Sequence, residues 1–196
     1  ADYNLTSKLT AVVGARFEKI NQEVDFYSIE FPKGENSIKK DAFLPSLNLK
    51  YALNEKQQLR FGASKTYTLP QFKERARFPY DDVTEVIIGN PYLYASDNYN
   101  LDLKWEMFPQ DAELLSVAAF GKYIFANTGD KGYVYGIELE LKKDILRLEE
   151  DRLQFGLNTS LMQTDQKFDA EKVTTETQGM VNIDPTHMRS KFTGAS

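Results

Sequence analysis

Cysteine is absent from this chain of 196 residues, and histidine and tryptophan each occur only once. Without cysteine the protein can form neither a disulfide framework nor a thiolate metal site. The lone histidine, His187, lies in a predicted loop and supports no metal cluster or catalytic triad. Because no nucleophile has a recognisable base beside it, the sequence predicts no enzyme and no catalytic residue. No metal and no cofactor are expected either.

Long hydrophobic runs and an excess of positive charge are also missing. The longest apolar run, residues 114–120, falls well short of the roughly 20 residues that a membrane-spanning helix needs. The formal net charge is −5, so we expect no nucleic-acid partner. No secretory leader is visible at Ala1, so we expect that a leader has been removed or that the chain is an internal piece of a longer one.

What the chain does contain is a repeated alternation of apolar and polar residues with period 2, which is typical of β-strands. It predicts seven strands and the start of an eighth, at residues 8–17, 43–53, 58–69, 99–108, 113–124, 133–142, 153–164 and 191–196. Residues 143–152 read as a charged turn rather than a helical turn. The expected fold is all-β, an antiparallel up-and-down meander.

The two faces of these strands differ sharply between residues 44 and 107. One face is apolar with aromatic residues near its ends, and the other carries full charges. This pattern is typical of a strand with lipid outside and a water-filled lumen inside. The residues predicted to line the lumen are Lys50, Arg60, Asp102, Lys104, Glu106, Glu138 and Glu140. Two interpretations stay open, a wall that faces a plug or a solute path, and simple wetting of an interior face.

The connections between the strands differ in length and composition. Residues 21–42, 70–98 and 165–190 read as long polar loops, whereas residues 54–57 form a hairpin-sized connection. Membrane barrels place short turns on the periplasmic side and long loops outside, so the three long loops are expected to be extracellular. Residues 125–132 should be extracellular too, but this connection is short for an external loop. We therefore expect that residues are missing between Ile124 and Asn127.

The second long loop contains the candidate ligand-binding residues. Its mixture of aromatic and basic side chains suits a sugar, a peptide or an anionic metal chelate, and the alternative is an aromatic girdle with loop packing. The candidates are Phe72, Lys73, Arg75, Arg77, Phe78, Tyr80, Tyr92 and Tyr94. Asp81, Asp82 and Glu85 lie nearby, but without the spacing of a calcium loop they are expected to be a solvated cluster. Trp105 and Phe108 are expected in a girdle at the periplasmic rim.

Six sequence blocks resemble, in order, the barrel of TonB-dependent outer-membrane receptors of Bacteroidetes-type bacteria. They read LPSLNLKY at residues 44–51, LRFGASKT at 59–66, GNPYL at 89–93, NYNLDLKWE at 98–106, ELLSVAAF at 113–120 and YGIELE at 135–140. The resemblance implies a bacterial outer-membrane location and a barrel of about 22 strands closed around a plug. Residues 1–196 would then be a partial barrel of about seven or eight strands, without the plug domain.

The resemblance also implies a function, which is active uptake of a large scarce nutrient such as a ferric siderophore or an oligosaccharide. The implied partners are outer-membrane lipid, the nutrient ligand, a surface lipoprotein lid, and the protein's own plug domain and TonB through missing segments. Because open sheet edges are costly in lipid, we expect that this chain alone is not a stable monomer in a bilayer.

Two alternative classes remain at this point. A passive porin-like or adhesin barrel would keep the fold but lose the energy coupling. A soluble β-sandwich binding module would also show alternating strands, because its two sheets pack face to face.

Overall fold

The computed structural model describes residues 1–27, 33–76, 79–81, 86–125, 131–147, 152–167, 169, 171–172, 175 and 189–195, with backbone only at 79–81, 86–88, 147, 152 and 189–195. Eleven strands and a short helix, α1, are defined within these ranges. In chain order they are β1 Asp2–Asn4, β2 Leu9–Phe26, β3 Gly34–Asn54, β4 Gln57–Thr68, α1 Phe72–Arg75, β5 Pro79–Asp81, β6 Val86–Ile88, β7 Ser96–Met107, β8 Leu114–Ile124, β9 Gly132–Arg147, β10 Arg152–Lys167 and β11 Arg189–Ala195.

Nine of these strands form one antiparallel sheet in the order β1-β2-β3-β4-β7-β8-β9-β10-β11. Each strand pairs with its neighbour along the chain, except that the small β5–β6 hairpin is inserted in the connection between β4 and β7. The predicted all-β meander is therefore confirmed, and over the residues described the sheet is not closed into a barrel. No helix in the described part of the chain is long and apolar enough to cross a membrane.

The sheet exposes its apolar face and partly buries its polar face. Leu101 and Ile137 are 54% exposed, whereas Glu106 is 7% and Ser116 is 2% exposed. The register aligns the apolar side chains across neighbouring strands in rows, one of which is Leu49, Phe61, Leu103, Ala119, Ile137 and Leu161. A contiguous exposed apolar surface of this kind needs an apolar environment or a partner. We call this the outer face, and the polar side the inner face.

The prediction that residues 21–42 form a loop is wrong. β2 continues to Phe26 and β3 begins at Gly34, and the two strands stay in unbroken register from Leu9↔Tyr51 to Phe26↔Gly34. Near Phe17 and Phe43, whose ring centroids are 4.7 Å apart, the outer face changes from apolar to charged. Beyond these two rings, both faces of the β2–β3 hairpin carry polar residues, and we call this part the upper hairpin. Its composition therefore resembles that of a loop, although its backbone is paired as two strands.

Three smaller points of the sequence prediction also need correction. The charged stretch 143–152 is not a turn throughout, because β9 extends to Arg147 and β10 begins at Arg152, with a bulge between Leu153 and Gln154. The sequence also missed β1, which pairs with β2 and places the amino group of Ala1 2.8 Å from the carbonyl oxygen of Val13. The third predicted loop is shorter than expected, since β10 reaches Lys167 and β11 begins at Arg189.

β3 separates from β4 close to Pro45. The pairing between the two strands ends at Ser46↔Ser64, although both strands continue towards the long-loop end. Pro45 has no N–H group to extend the ladder, which gives a local reason for the separation. From this point towards the long-loop end, β3 pairs only with β2, and β4 pairs only with β7.

Candidate functional site

The upper β2–β3 hairpin and the connection between β4 and β7 pack against each other at the long-loop end of the sheet. Gln22 on β2 donates a hydrogen bond from Nε2 to the carbonyl oxygen of Pro70, at 3.1 Å. The inner-facing residues of the hairpin are buried or half-buried there, and Val24 and Ala42 are among the buried ones. We call this packed unit, residues 18–27, 33–44, 65–76 and 89–98, the external assembly.

Arg75, at the end of α1, is the centre of the external assembly. Its side chain is 1% exposed, with Nη1 3.5 Å from Gln22 Oε1 and Nη2 bonded to Asn36 Oδ1. Its Nε has no partner among the described residues. Because burial removes water from the guanidinium without supplying a carboxylate, it lowers the pKa of Arg75.

The Gly89-Asn90-Pro91 segment fixes α1 from its other side. The backbone N–H of Asn90 donates to the carbonyl oxygen of Glu74 at 2.7 Å, and Asn36 Nδ2 donates to the carbonyl oxygen of Pro91. A Cβ at Gly89 would lie 2.7 Å from the carbonyl oxygen of Lys73 and would also collide with that of Ala76. Glycine is therefore required where this segment approaches the helix.

The predicted ligand-binding residues fall into three groups. Phe72 is 62% exposed, Tyr92 56% and Tyr94 42%, and Lys73 is also exposed. Arg75 is buried instead, so a ligand reaches it only if the external assembly opens. The backbone of Tyr80 lies in β5, but its side chain, together with Arg77 and Phe78, lies outside the described residues.

A charged cluster that the sequence analysis missed joins the hairpin to the tops of β4 and β7. Asp97 accepts from Lys40 Nζ at 2.7 Å and from Lys65 Nζ at 3.1 Å. Beside it, the hydroxyl of Tyr67 donates to the carboxylate of Glu18. The period-2 pattern of the hairpin was the available signal, because it places Glu18 and Lys40 on the same inner face as the buried Ala42.

Four of the predicted lumen residues form one ion-pair network on the inner face. Glu106 lies 2.8 Å from Arg60 and 3.3 Å from Lys104, and Lys104 lies 3.7 Å from Glu140. Gln58 donates a short hydrogen bond to Glu106 at 2.5 Å. These residues come from β4, β7 and β9. The network also crosses β8, which lies between β7 and β9 and places the small Ser116 between Glu106 and Glu140.

The other three predicted lumen residues share the inner face but lie outside this network. Lys50 is aligned with Arg60 and Lys104 in one cross-strand row of cations. Asp102 and Glu138 are exposed, and neither forms an ion pair within the described residues. Like charges directly opposite each other repel, so the row of Lys50, Arg60 and Lys104 is stable only because neighbouring carboxylates compensate its positive charge.

Aromatic residues gather on the outer face at the long-loop end. The rings of Tyr123 and Tyr133 are 5.2 Å apart, Tyr123 and Phe125 5.0 Å, and Tyr99 and Tyr123 6.3 Å. Such a cluster at the border of an apolar band is typical of the aromatic girdle of a membrane barrel. The stretch from Tyr99 to Met107 matches the roughly 9–11 residues that a tilted transmembrane strand needs.

The arrangement of an apolar outer face, an ion-paired inner face and an aromatic belt agrees with the result of a family comparison. The model of the family described as "TonB dependent receptor-like, beta-barrel" matches residues 1–193. The chain belongs to this family. A search of curated protein sequences found no match. The family consists of outer-membrane receptors of bacteria that act in transport, so the outer face of this receptor barrel contacts outer-membrane lipid.

Membership in this family decides between the fold alternatives. A β-sandwich needs a second sheet over the apolar face. In the described part of this receptor barrel the other sheet is only the two-stranded β5–β6 hairpin. The soluble β-sandwich interpretation is therefore set aside.

The described part of the receptor barrel contains no group of three or more His, Asp or Glu side chains that could hold a metal ion. The side chains of Asp81, Asp82, Glu85 and His187 lie outside the described residues, as does the junction between Ile124 and Asn127.

Proposed function

We propose that the protein works in the active uptake of a large scarce nutrient, a ferric siderophore or an oligosaccharide. The nutrient binds at the external loops, and TonB then drives a rearrangement of the plug that lets it pass. No covalent chemistry is required of this chain. Residues 1–196 supply a part of the barrel wall, and the plug and the segment that engages TonB belong to other parts of the protein.

The observation that carries this proposal is the combination of an inner face held by ion pairs with an external assembly that presents aromatic side chains. Phe72, Tyr92 and Tyr94 are exposed on a loop that Arg75 and Asn36 fasten to the β2–β3 hairpin. A fixed loop keeps its contact residues in place, which lowers the entropy that binding must overcome. The inner network gives a plug domain a charged surface to pack against.

The proposal extends to further partners. The plug is expected to contact the row formed by Lys50, Arg60 and Lys104, where acidic plug residues would compensate the cations. A surface lipoprotein covers the external loops as a lid, and lipid surrounds the outer face.

Uptake measurements in the natural bacterium test the proposal. Radiolabelled ferric siderophores and oligosaccharides would be offered to the wild type, to a strain without the gene and to a strain that produces a Phe72→Ala, Tyr92→Ala double variant. We expect uptake of one ligand class to require the gene and to stop when an uncoupler collapses the proton gradient. Uptake that depends on the gene but persists with the uncoupler would instead support the passive porin alternative.

A further inference from the structure

The apolar outer face contains a groove at its long-loop end, with a cavity of about 770 Å³. The register places one cross-strand row of the outer face along this groove. The row consists of Val13, Leu47, Ala63, Leu101, Gly121 and Tyr135. The next row towards the long loops consists of Lys65, Tyr99, Tyr123 and Tyr133, which border the groove as well. The groove is therefore apolar along its length and aromatic at its long-loop rim.

Small residues form the floor of the groove. Ala63 lies between Leu47 and Leu101, and Gly121 lies between Leu101 and Tyr135. A Cβ added at Gly121 would meet no atom of the described residues within 4 Å, so the space above this glycine is open. Water is a poor occupant of such a space, because apolar walls offer it no hydrogen-bond partner.

The upper hairpin supplies one wall of the groove. Alternation puts Lys65 of β4 and Asp97 of β7 on the outer face, whereas it puts Lys40 of β3 on the inner face. Asp97 nevertheless binds Lys40 at 2.7 Å and Lys65 at 3.1 Å. The upper hairpin must therefore lean over the outer side of β4 and β7 where β3 leaves β4. Pro45 and Val13 border the groove at this angle, which the shared carboxylate holds in place.

The position of the groove along the strands places it in the outer leaflet of the membrane. The apolar band runs from Tyr99 to Met107 on β7, and the groove lies at the Tyr99 end, next to the long connections. In membrane barrels the long connections lie outside the cell. Tyrosines at a membrane–water interface keep their rings in the apolar layer and their hydroxyl groups near the lipid headgroups. The groove is therefore continuous with the lipid-contacting surface and ends at the level of the headgroups.

From its apolar walls, its open floor and its position in the outer leaflet we infer that the groove binds one acyl chain of an outer-leaflet lipid. The chain lies over Ala63 and Gly121, and the headgroup lies beside the tyrosine rim. An empty groove would leave its lining atoms without contacts on one side, and a flexible acyl chain can follow its shape. This lipid stays with the receptor, whereas lipids on the flatter part of the outer face exchange. The inference goes beyond the proposed uptake function and does not depend on the nutrient.

Native mass spectrometry of the whole receptor, purified from outer membranes in a mild detergent, tests the inference. We expect the wild type to retain lipid after extensive detergent exchange. Gly121→Trp fills the groove from its floor and should lower the lipid-bound fraction by about tenfold. Val117→Trp is the matched control, because Val117 lies on the same face of β8, is 45% exposed and does not border the groove. Its lipid-bound fraction should stay within about twofold of the wild type.

Two further measurements check folding and identify the occupant. Both tryptophan variants should migrate faster on a gel unboiled than boiled, as a folded barrel does. If Gly121→Trp does not fold, the smaller pair Gly121→Leu and Val117→Leu provides the same comparison. A photoreactive benzoylphenylalanine in place of Tyr135, activated in intact cells, should form an adduct whose added mass is that of a lipid.

Several outcomes would overturn the inference. If the wild type retains no lipid, or if the substitutions at Gly121 and Val117 reduce retention equally, the groove is not a lipid site. If the adduct at Tyr135 has the mass of a protein, a second copy of the receptor or another protein covers the groove instead. None of these measurements involves the nutrient, so their failure would leave the proposed uptake function standing.

Discussion

Arg75 Nη1 lies 3.5 Å from Gln22 Oε1, and this contact joins α1 to a strand 53 residues earlier in the chain. The same guanidinium also donates to Asn36 on β3, so one side chain links the loop to both strands of the hairpin. Because Arg75 is 1% exposed, its first role is to hold the external assembly together.

Arg75→Ala should therefore loosen the external assembly without unfolding the sheet. The substitution leaves Gln22 Oε1 without this donor in a buried position, which costs about 1–3 kcal/mol, and removes a donor from the half-buried Asn36 Oδ1. Limited proteolysis of intact cells should show faster cleavage within residues 69–95. Lys73→Ala on the exposed side of the same helix is the control, and equal cleavage of the two variants would show that Arg75 is not a structural link.

Glu106→Gln should destabilise the barrel wall more than Glu138→Gln. Glu106 separates the cations Arg60 and Lys104, which face each other across β4 and β7, so removing its charge leaves them to repel. Because Arg60 is half-exposed, we expect a loss of about 1 kcal/mol, against less than about 0.5 kcal/mol for the unpaired Glu138. Urea unfolding of the receptor in lipid vesicles measures both, and the difference should shrink at high salt.

A matched pair of substitutions on β10 tests which face contacts lipid. Leu157 is 44% exposed on the outer face, and the adjacent Asn158 is exposed on the inner face opposite Glu140. Leu157→Arg should destabilise the receptor in vesicles by about 1–4 kcal/mol, because the cost of a lipid-facing arginine is about 2–4 kcal/mol at the bilayer midplane and falls towards the interfaces. Asn158→Arg should cost less than about 0.5 kcal/mol. In a soluble protein both substitutions would cost little stability. Similar losses of unfolding free energy for the two variants would therefore contradict the assigned orientation.

Gly136→Ala should destabilise β9, because the new methyl group has no room. A Cβ there would lie 2.7 Å from Phe120 Cζ, whose ring covers the glycine, and would also collide with the carbonyl oxygen of Leu161. Overpacking of this kind costs about 1–3 kcal/mol. Gly156→Ala on β10 is the control, since an added Cβ there meets nothing within 4 Å. The urea midpoint of the Gly156 variant should match the wild type, and a wild-type midpoint for Gly136→Ala would refute the packing argument.

Within the candidate site, the sequence located the inner-face residues better than the loop residues. Alternation alone placed Arg60, Lys104, Glu106 and Glu140 on one face, and the register then brought these four into one network. The burial of Arg75 could not be predicted from the sequence. Its partners Gln22 and Asn36 come from a distant hairpin whose polar composition predicts a loop.

The sequence by itself determined the strand order, the antiparallel meander and the division into an apolar and a polar face. These properties follow from period-2 alternation and from short connections, both of which are local. The tertiary structure alone decided where β2 ends and β3 begins, where β3 leaves β4 close to Pro45, and which polar side chains meet. The physical reason is that polar segments outside the apolar band carry no hydrophobic signal, so only their packing against distant residues fixes their conformation.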